Sequence, residues 1–160
     1  LLRYARHDDA KGEIMPRIDI DAIEGQTGSG YPEPYNLGGH GRVYRSLKAA
    51  GGITDFEANH VILPPGAWSS QRHWHEEEDE FLVMTSGTAT LIDDHGETVL
   101  KAGDCAAFPK MDRNGHHLIG GPEGATFVVI GITETSPCHY PDIDLRAEGP
   151  QYLHKDGTPY

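Results

Sequence analysis

The chain has 160 residues and a formal charge of −12, from 13 Lys and Arg against 25 Asp and Glu, so it lacks the basic clusters that binding a phosphate backbone requires; nucleic acid is not an expected partner. Its length permits one compact domain without disulfide support, and 37% hydrophobic residues with 20 Gly and 11 Pro suit many short strands better than long helices. No apolar run approaches the roughly 18 residues of a membrane span and no signal-peptide pattern opens the chain, which points to the cytoplasm and away from membranes. The first residues, Leu1-Leu2, carry no Met and leave room for an upstream segment.

Residues 1–35 show little periodicity and read as an irregular N-terminal arm, interrupted by Gly25-Gln-Thr-Gly-Ser-Gly30 and Pro32-Glu-Pro34. A short strand at 42–45 leads into the main domain, and a strand at 59–63 is stopped by Pro64-Pro65-Gly66. Strands at 80–84 and 88–92 flank Thr85-Ser86-Gly87, which reads as a turn, and Asp93-Asp94-His95-Gly96 makes the next reversal. Further strands follow at 97–100, 105–108, 116–119 and 125–132. Eight or so strands at intervals of about ten residues form the pattern of a sandwich or jelly roll. Cys105 and Cys138 make no disulfide or metal framework, and Cys105, inside Cys105-Ala106-Ala107-Phe108, is expected to be a buried, inert thiol.

The residues that carry chemistry are His73-Trp74-His75 and the acid Glu80 that follows. Alternate residues of a strand share a face, so His73 and His75 can present two imidazoles to one point, with a carboxylate from the same segment. Ten histidines make chance pairs common, but here a second block containing Gly103, Pro109 and His116-His117 offers a third imidazole from another strand. Three imidazoles and a carboxylate suit one divalent transition ion, among Fe, Mn, Co, Ni, Cu and Zn, and leave positions open for a ligand. Glu76, Glu77, Glu78 and Asp79 are read as a solvated loop, with the alternative that one of them orients a ligating imidazole. Gln71 and Ser69 are expected beside His73, and Leu82 and Met84 beside Glu80; Tyr35, Trp68, Trp74 and His60 are further candidates for a pocket mouth or an interface.

Gly66, His73-Trp74-His75, Glu80 and Gly87 resemble the first motif of the cupin superfamily, and the stretch from Gly103 through Pro109 to Gly115-His116 resembles the second. The phrases LPPGAWSSQRHWHEEEDEF, KAGDCAAFPK and YPDID with YLHKDGTPY are similar to a branch of small bacterial single-domain cupins, mostly without an assigned reaction. The resemblance implies an all-β, double-stranded β-helix or jelly-roll barrel at 36–133, preceded by the arm at 1–35 and followed by an irregular C-terminal extension at 134–160 packed on the barrel. It implies a metal held by His73, His75, Glu80 and His116. Glu80 is preferred to Asp79 because it keeps the spacing to Gly87, and His116 to His117 by counting back from Gly120, where the family has Asn. His117 stays open as the third imidazole, because the loop from Pro109 is longer than the family's. The spacing from Gly66 to His73 is also one residue longer, which predicts a bulge. Cupins run dioxygenation, isomerisation and lyase-type proton abstraction on one scaffold. The expected function is therefore metal-dependent chemistry on a small polar metabolite, with Glu80 also the candidate catalytic carboxylate, or else non-catalytic binding of a sugar or organic acid. A homodimer is expected, since a small jelly roll leaves sheet edges to be covered.

Overall fold

Alternating apolar residues fold into eleven strands among the residues that the computed structural model describes, 17–37, 41–131 and 136–160. The first half of the expected N-terminal arm, 1–16, the loop at 38–40, and the expected boundary at 133/134 lie outside the described residues. Within the remainder of the arm, β1 (Gln26–Thr27) pairs antiparallel with β2 (Val43–Ser46) of the same chain. A short helix that the sequence reading did not anticipate, α1 (Leu47–Gly51), follows at once. Its ends are well specified, since the Ser46 side chain accepts from the Ala49 N–H and Gly52 closes it in the left-handed region at φ 63°.

The main sheet continues with β3 (Glu57–Leu63), which buries Ala58, Val61 and Leu63. After β4 (Trp74–His75) come β5 (Glu80–Asp93), β6 (Gly96–Lys101), β7 (Cys105–Phe108) and β8 (His117–Gly131). The order is β1-β2-β3-β8-β5-β6, with β7 on β5, and the named pairs are antiparallel. β8 is the spine: Leu63 faces Ala125 across one edge and Phe81 faces Ile130 across the other. A second sheet orders β9 (Cys138–Tyr140), β10 (Leu145–Glu148) and β11 (Gln151–Leu153) as β11-β10-β9-β4. Isolated bridges, Trp68 to Ile119 and His73 to His116, connect the segment before β4 to β8 and its approach.

Two expectations about this sheet need correction. Thr85-Ser86-Gly87 is no turn: β5 runs through it, and the ladder to β8 shifts register between Met84 and Ser86 and again between Gly87 and Ala89. Likewise the two strands expected at 116–119 and 125–132 are one. Glycine and serine serve bulges as readily as turns, and tertiary pairing decides between them. Gly87 sits at φ 66° with no room for a side chain, because a Cβ there would lie 2.1 Å from the Gly124 carbonyl oxygen. Gly120 is equally confined, since its Cβ would lie 2.3 Å from the Pro64 carbonyl oxygen, so no asparagine fits.

The core comes from strands of the main sheet and is built from Val61, Leu63, Leu82, Met84, Leu118 and Phe127. Leu63, Leu82 and Met84 are at most 1% exposed, and burying each side chain contributes about 1.5–3 kcal/mol. A smaller cluster under the second sheet gathers Cys138, Tyr140 and Leu145 against Tyr31 and Tyr152. The expectation for Cys105 is overturned: it is exposed, because β7 alternates outward at Cys105 and Ala107, while Cys138 is the buried thiol. Among the described residues no helix is long and apolar enough to cross a membrane.

Candidate metal centre

The segment that leads to β4 is held by reciprocal backbone bonds: His73 N–H donates to the His116 carbonyl at 3.1 Å and His116 N–H to the His73 carbonyl at 2.9 Å. This locks two imidazole-bearing residues opposite each other, with ring centroids 4.8 Å apart. The expected bulge is absorbed instead by bends over 69–72. Those bends bring Ser70 as well as Ser69 to the site, with Ser70 Oγ 3.2 Å from His73 Nδ1, while Gln71 turns its amide to the Tyr35 carbonyl.

Glu80, the first residue of β5, completes the cluster. His116 Nε2–H donates to Glu80 Oε2 at 2.9 Å, and His73 Nε2 lies 3.8 Å from the same oxygen. The donor atoms of His73, Glu80 and His116 all fall within 4.8 Å of one another. His75 does not join that trio within the same radius. It forms a second, overlapping group with His73 and Cys138, whose donor atoms also lie within 4.8 Å. His73 belongs to both, its ring 5.0 Å from that of His75. His117 faces elsewhere, against the Trp68 ring at 5.1 Å, with its Nδ1 donating to the Ser70 carbonyl at 3.1 Å.

Electrostatics prepare these groups for a cation. Burial, reinforced by the charge of His116, pushes the His73 imidazole down to about 3, so it is neutral. Its Nδ1–H donates to the Gln71 carbonyl at 2.9 Å, which leaves the lone pair on Nε2, the nitrogen that faces Glu80. Burial alone would raise the Glu80 carboxyl, but the hydrogen bond from His116, aided by the surrounding imidazoles, holds it at about 2. Burial also lowers His75. A neutral imidazole beside a carboxylate anion is a metal donor set. His116 Nδ1 is buried without a hydrogen-bond partner among the described residues, a state that native proteins seldom leave uncompensated, whereas His75 Nδ1 has the Glu78 carboxylate at 3.4 Å. The residues present therefore fit a transition ion.

Cys138 belongs to a cluster that could hold an ion, and sequence reasoning missed it. It stands opposite His75 in the ladder between β4 and β9, and burial pushes its thiol up to about 12. No local motif marks it; only the pairing of a strand from the C-terminal extension brings it here. The acidic run has specific partners: Glu76 accepts from His139 Nε2 at 2.7 Å, Asp79 from the Lys110 N–H at 2.9 Å, and Glu78 Oε2 lies 3.4 Å from His75 Nδ1. The loop before His116 carries backbone strain, with Met111 and Arg113 in the left-handed region at φ 63° and 60°.

Arg72 clamps this loop. Its guanidinium makes a bidentate pair with Asp142, both bonds at 2.7 Å, reaches Asp94, and donates to the Gly115 carbonyl at 3.2 Å, next to His116. That hydrogen bonding holds the Asp142 carboxyl below its usual range. A depressed carboxyl stabilises the fold above its unfolded pKa of about 3.9, and the contribution is lost as pH falls through the lower folded value. Arg72→Ala is expected to cost about 1 kcal/mol at neutral pH, modest because Asp142 is 55% exposed, with the difference from wild type shrinking as pH falls below the unfolded value of about 3.9. Urea melts of both proteins at a series of pH values check this.

The cluster opens into a cavity of about 270 Å³. His73, Glu80 and His116 line it together with apolar Leu82, Leu118 and Phe127, so Leu118 is a cavity wall and Met84 is plain core. Tyr35, Trp68, Trp74 and His60 do not line it. Trp74 instead stacks on His139 at 4.2 Å.

An all-β, antiparallel two-sheet scaffold with imidazoles and a carboxylate converging on a cavity is the arrangement that the first motif described. Residues 59–131 match the cupin domain family. Over 91% of this chain and 96% of the other, it is 42% identical to a sugar phosphate isomerase of the cupin superfamily from Silicibacter pomeroyi, with a TM-score of 0.85. The polyketide cyclase RemF from Streptomyces resistomycificus shares the fold at 19% identity, with a TM-score of 0.67 over 85% of this chain and 89% of that one. No curated protein matches in sequence. The chain belongs to the cupin superfamily.

Proposed function

We propose that this cupin is a metal-dependent enzyme acting on a small polar metabolite, with isomerisation of a sugar derivative as its reaction class. The observation that carries the reading is the neutral His73 imidazole and the anionic Glu80 facing one cavity, in a chain 42% identical to a sugar phosphate isomerase. His73, His75, Glu80 and His116 would hold one divalent ion. Bound there, it would supply Lewis acidity toward a carbonyl or hydroxyl oxygen.

Of the two roles open to Glu80, ligand and proton acceptor, the ligand role is favoured, because its Oε2 lies among the imidazole nitrogens, 2.9 Å from His116 Nε2 and 3.8 Å from His73 Nε2. Leu82, Leu118 and Phe127 exclude water from one wall and leave the polar side to orient the substrate. Metal-loaded protein incubated with aldose and ketose derivatives, with and without oxygen, should interconvert them by NMR without consuming oxygen. Glu80→Gln should lower turnover by about 100-fold or more while ligand affinity changes by less than about tenfold. A change in affinity alone, with no product formed by wild type, would turn the reading to a binding module for a sugar or organic acid.

The proposed assembly is a homodimer formed at an open sheet edge. β6 is such an edge and exposes Val99 at 68%. Light scattering at micromolar concentration should give twice the chain mass, and Val99→Lys should move it toward the monomer.

A further inference from the structure

The cavity has a second polar feature besides the imidazole cluster. Arg42, at the approach to β2, lines it, and among the lining residues Arg42 is the one Lys or Arg and Glu80 the one carboxylate. Two of its five N–H groups are used: Nη1 donates to the Ser69 carbonyl and Nη2 to the Gly28 carbonyl at 3.1 Å. Nε is buried without a hydrogen-bond partner, and among the described residues no ion pair of Arg42 is found. In a chain carrying 25 acidic residues against 13 basic ones, a cation on a cavity wall that no carboxylate among the described residues neutralises is unusual. The Tyr44 ring, 5.3 Å from the guanidinium carbon, is the soft support that orients it.

Its place relative to the cluster is fixed by one dipeptide. Ser69 offers its carbonyl to Arg42, and the next residue, Ser70, lies with its hydroxyl against His73 Nδ1. Arg42 and the imidazoles therefore flank neighbouring residues of one wall, close enough for a single small ligand to span both. At about 270 Å³ the cavity is below the roughly 300–1,000 Å³ of drug-sized pockets, which limits that ligand to a small metabolite.

We propose that Arg42 is a specificity-determining residue that anchors an oxyanion of the ligand, a phosphate monoester or a carboxylate, while the ligand's other end reaches the His73, Glu80 and His116 cluster. A guanidinium presents parallel N–H groups that match both anions, and seating the anion there keeps it away from the Glu80 carboxylate. This rests on the reading of the cavity as a substrate site, but not on the presence of a metal.

Calorimetry on the protein as purified, with metal content recorded in parallel, tests it using ribose 5-phosphate, inorganic phosphate, gluconate and uncharged ribose. At least one of the anionic probes should bind more tightly than ribose, and which one does so distinguishes phosphate from carboxylate. Arg42→Gln should weaken that binding by about 10- to 100-fold with metal content unchanged, and Arg42→Lys should keep more of it than Gln. Equal binding by wild type and Arg42→Gln, or a preference for ribose over every anion, overturns the proposal. Anion binding that depends on Arg42 in protein that takes up no metal supports the anchor while removing the metal centre. Should Arg42→Gln fail to fold, the arginine side-chain N–H resonance of wild type that is missing in Arg42→Lys should shift on adding the bound anion; no shift overturns the proposal.

Discussion

His116→Ala is expected to lower transition-metal affinity by more than about 100-fold, beyond the 10- to 100-fold typical of residues that only support a ligand, whereas His117→Ala should stay within about tenfold. The difference follows from their surroundings. His116 is 3% exposed, bonded to Glu80 and stacked on Phe108 at 3.5 Å, while His117 looks away toward Trp68. Wild type purified without an affinity tag should carry about one first-row transition ion per chain by elemental analysis, and chelator competition gives the affinities. Sub-stoichiometric metal that Mn, Fe, Co, Ni, Cu and Zn all fail to restore would sink the site, and the reverse order of the two variants would place His117 in it. Stripping the metal should leave the protein folded. The cluster hangs on a sheet with an apolar core of its own, from Val61 and Leu63 to Met84 and Leu100, unlike small domains that owe their folding to an ion.

Gly87→Ala should cost about 2–5 kcal/mol in urea melts, the sum of left-handed strain and a collision with backbone that cannot move aside. A Cβ at φ 66° would press on the Gly124 carbonyl, in the stretch where β5 and β8 change register. Gly96 is the control. It also has positive φ, at 124°, but nothing lies within 4 Å of a Cβ there, so Gly96→Ala should show the strain without the collision. Variants that differ by less than about 1 kcal/mol would mean that the bulge relaxes freely.

Much of the fold was legible because the strands alternate cleanly. Leu82 and Met84 point inward and Phe81 outward, as period-two reading requires. The paired imidazoles of His73 and His75 were legible for the same reason, as was Glu80 from its spacing. What escaped was set by contacts between distant segments. Cys138 reaches His75 only through the pairing of β4 with β9, and Arg42 reaches the cavity from the approach to β2, ahead of the motifs. Cys105 was misjudged because an apolar run of four can present either set of alternate residues to solvent, and β5, its partner, decides which. The strained Met111 and Arg113 carry no glycine to announce them.

The pairing of β4 with β9 also orders events in time. A ribosome delivers His73, Trp74 and His75 long before Cys138, and Glu76 and its partner His139 are 63 residues apart. β8 and β5 can zip first, since the main sheet holds the larger core, but the strand carrying His75 waits for the last part of the chain to find its neighbour. Until the second sheet docks, a nascent chain would leave His75 and the Cys138 thiol without their final neighbours. If the proposed ion binds there, one offered in that interval would meet a flexible chelate and one offered afterwards a finished site, so the order of loading and folding would help select the ion.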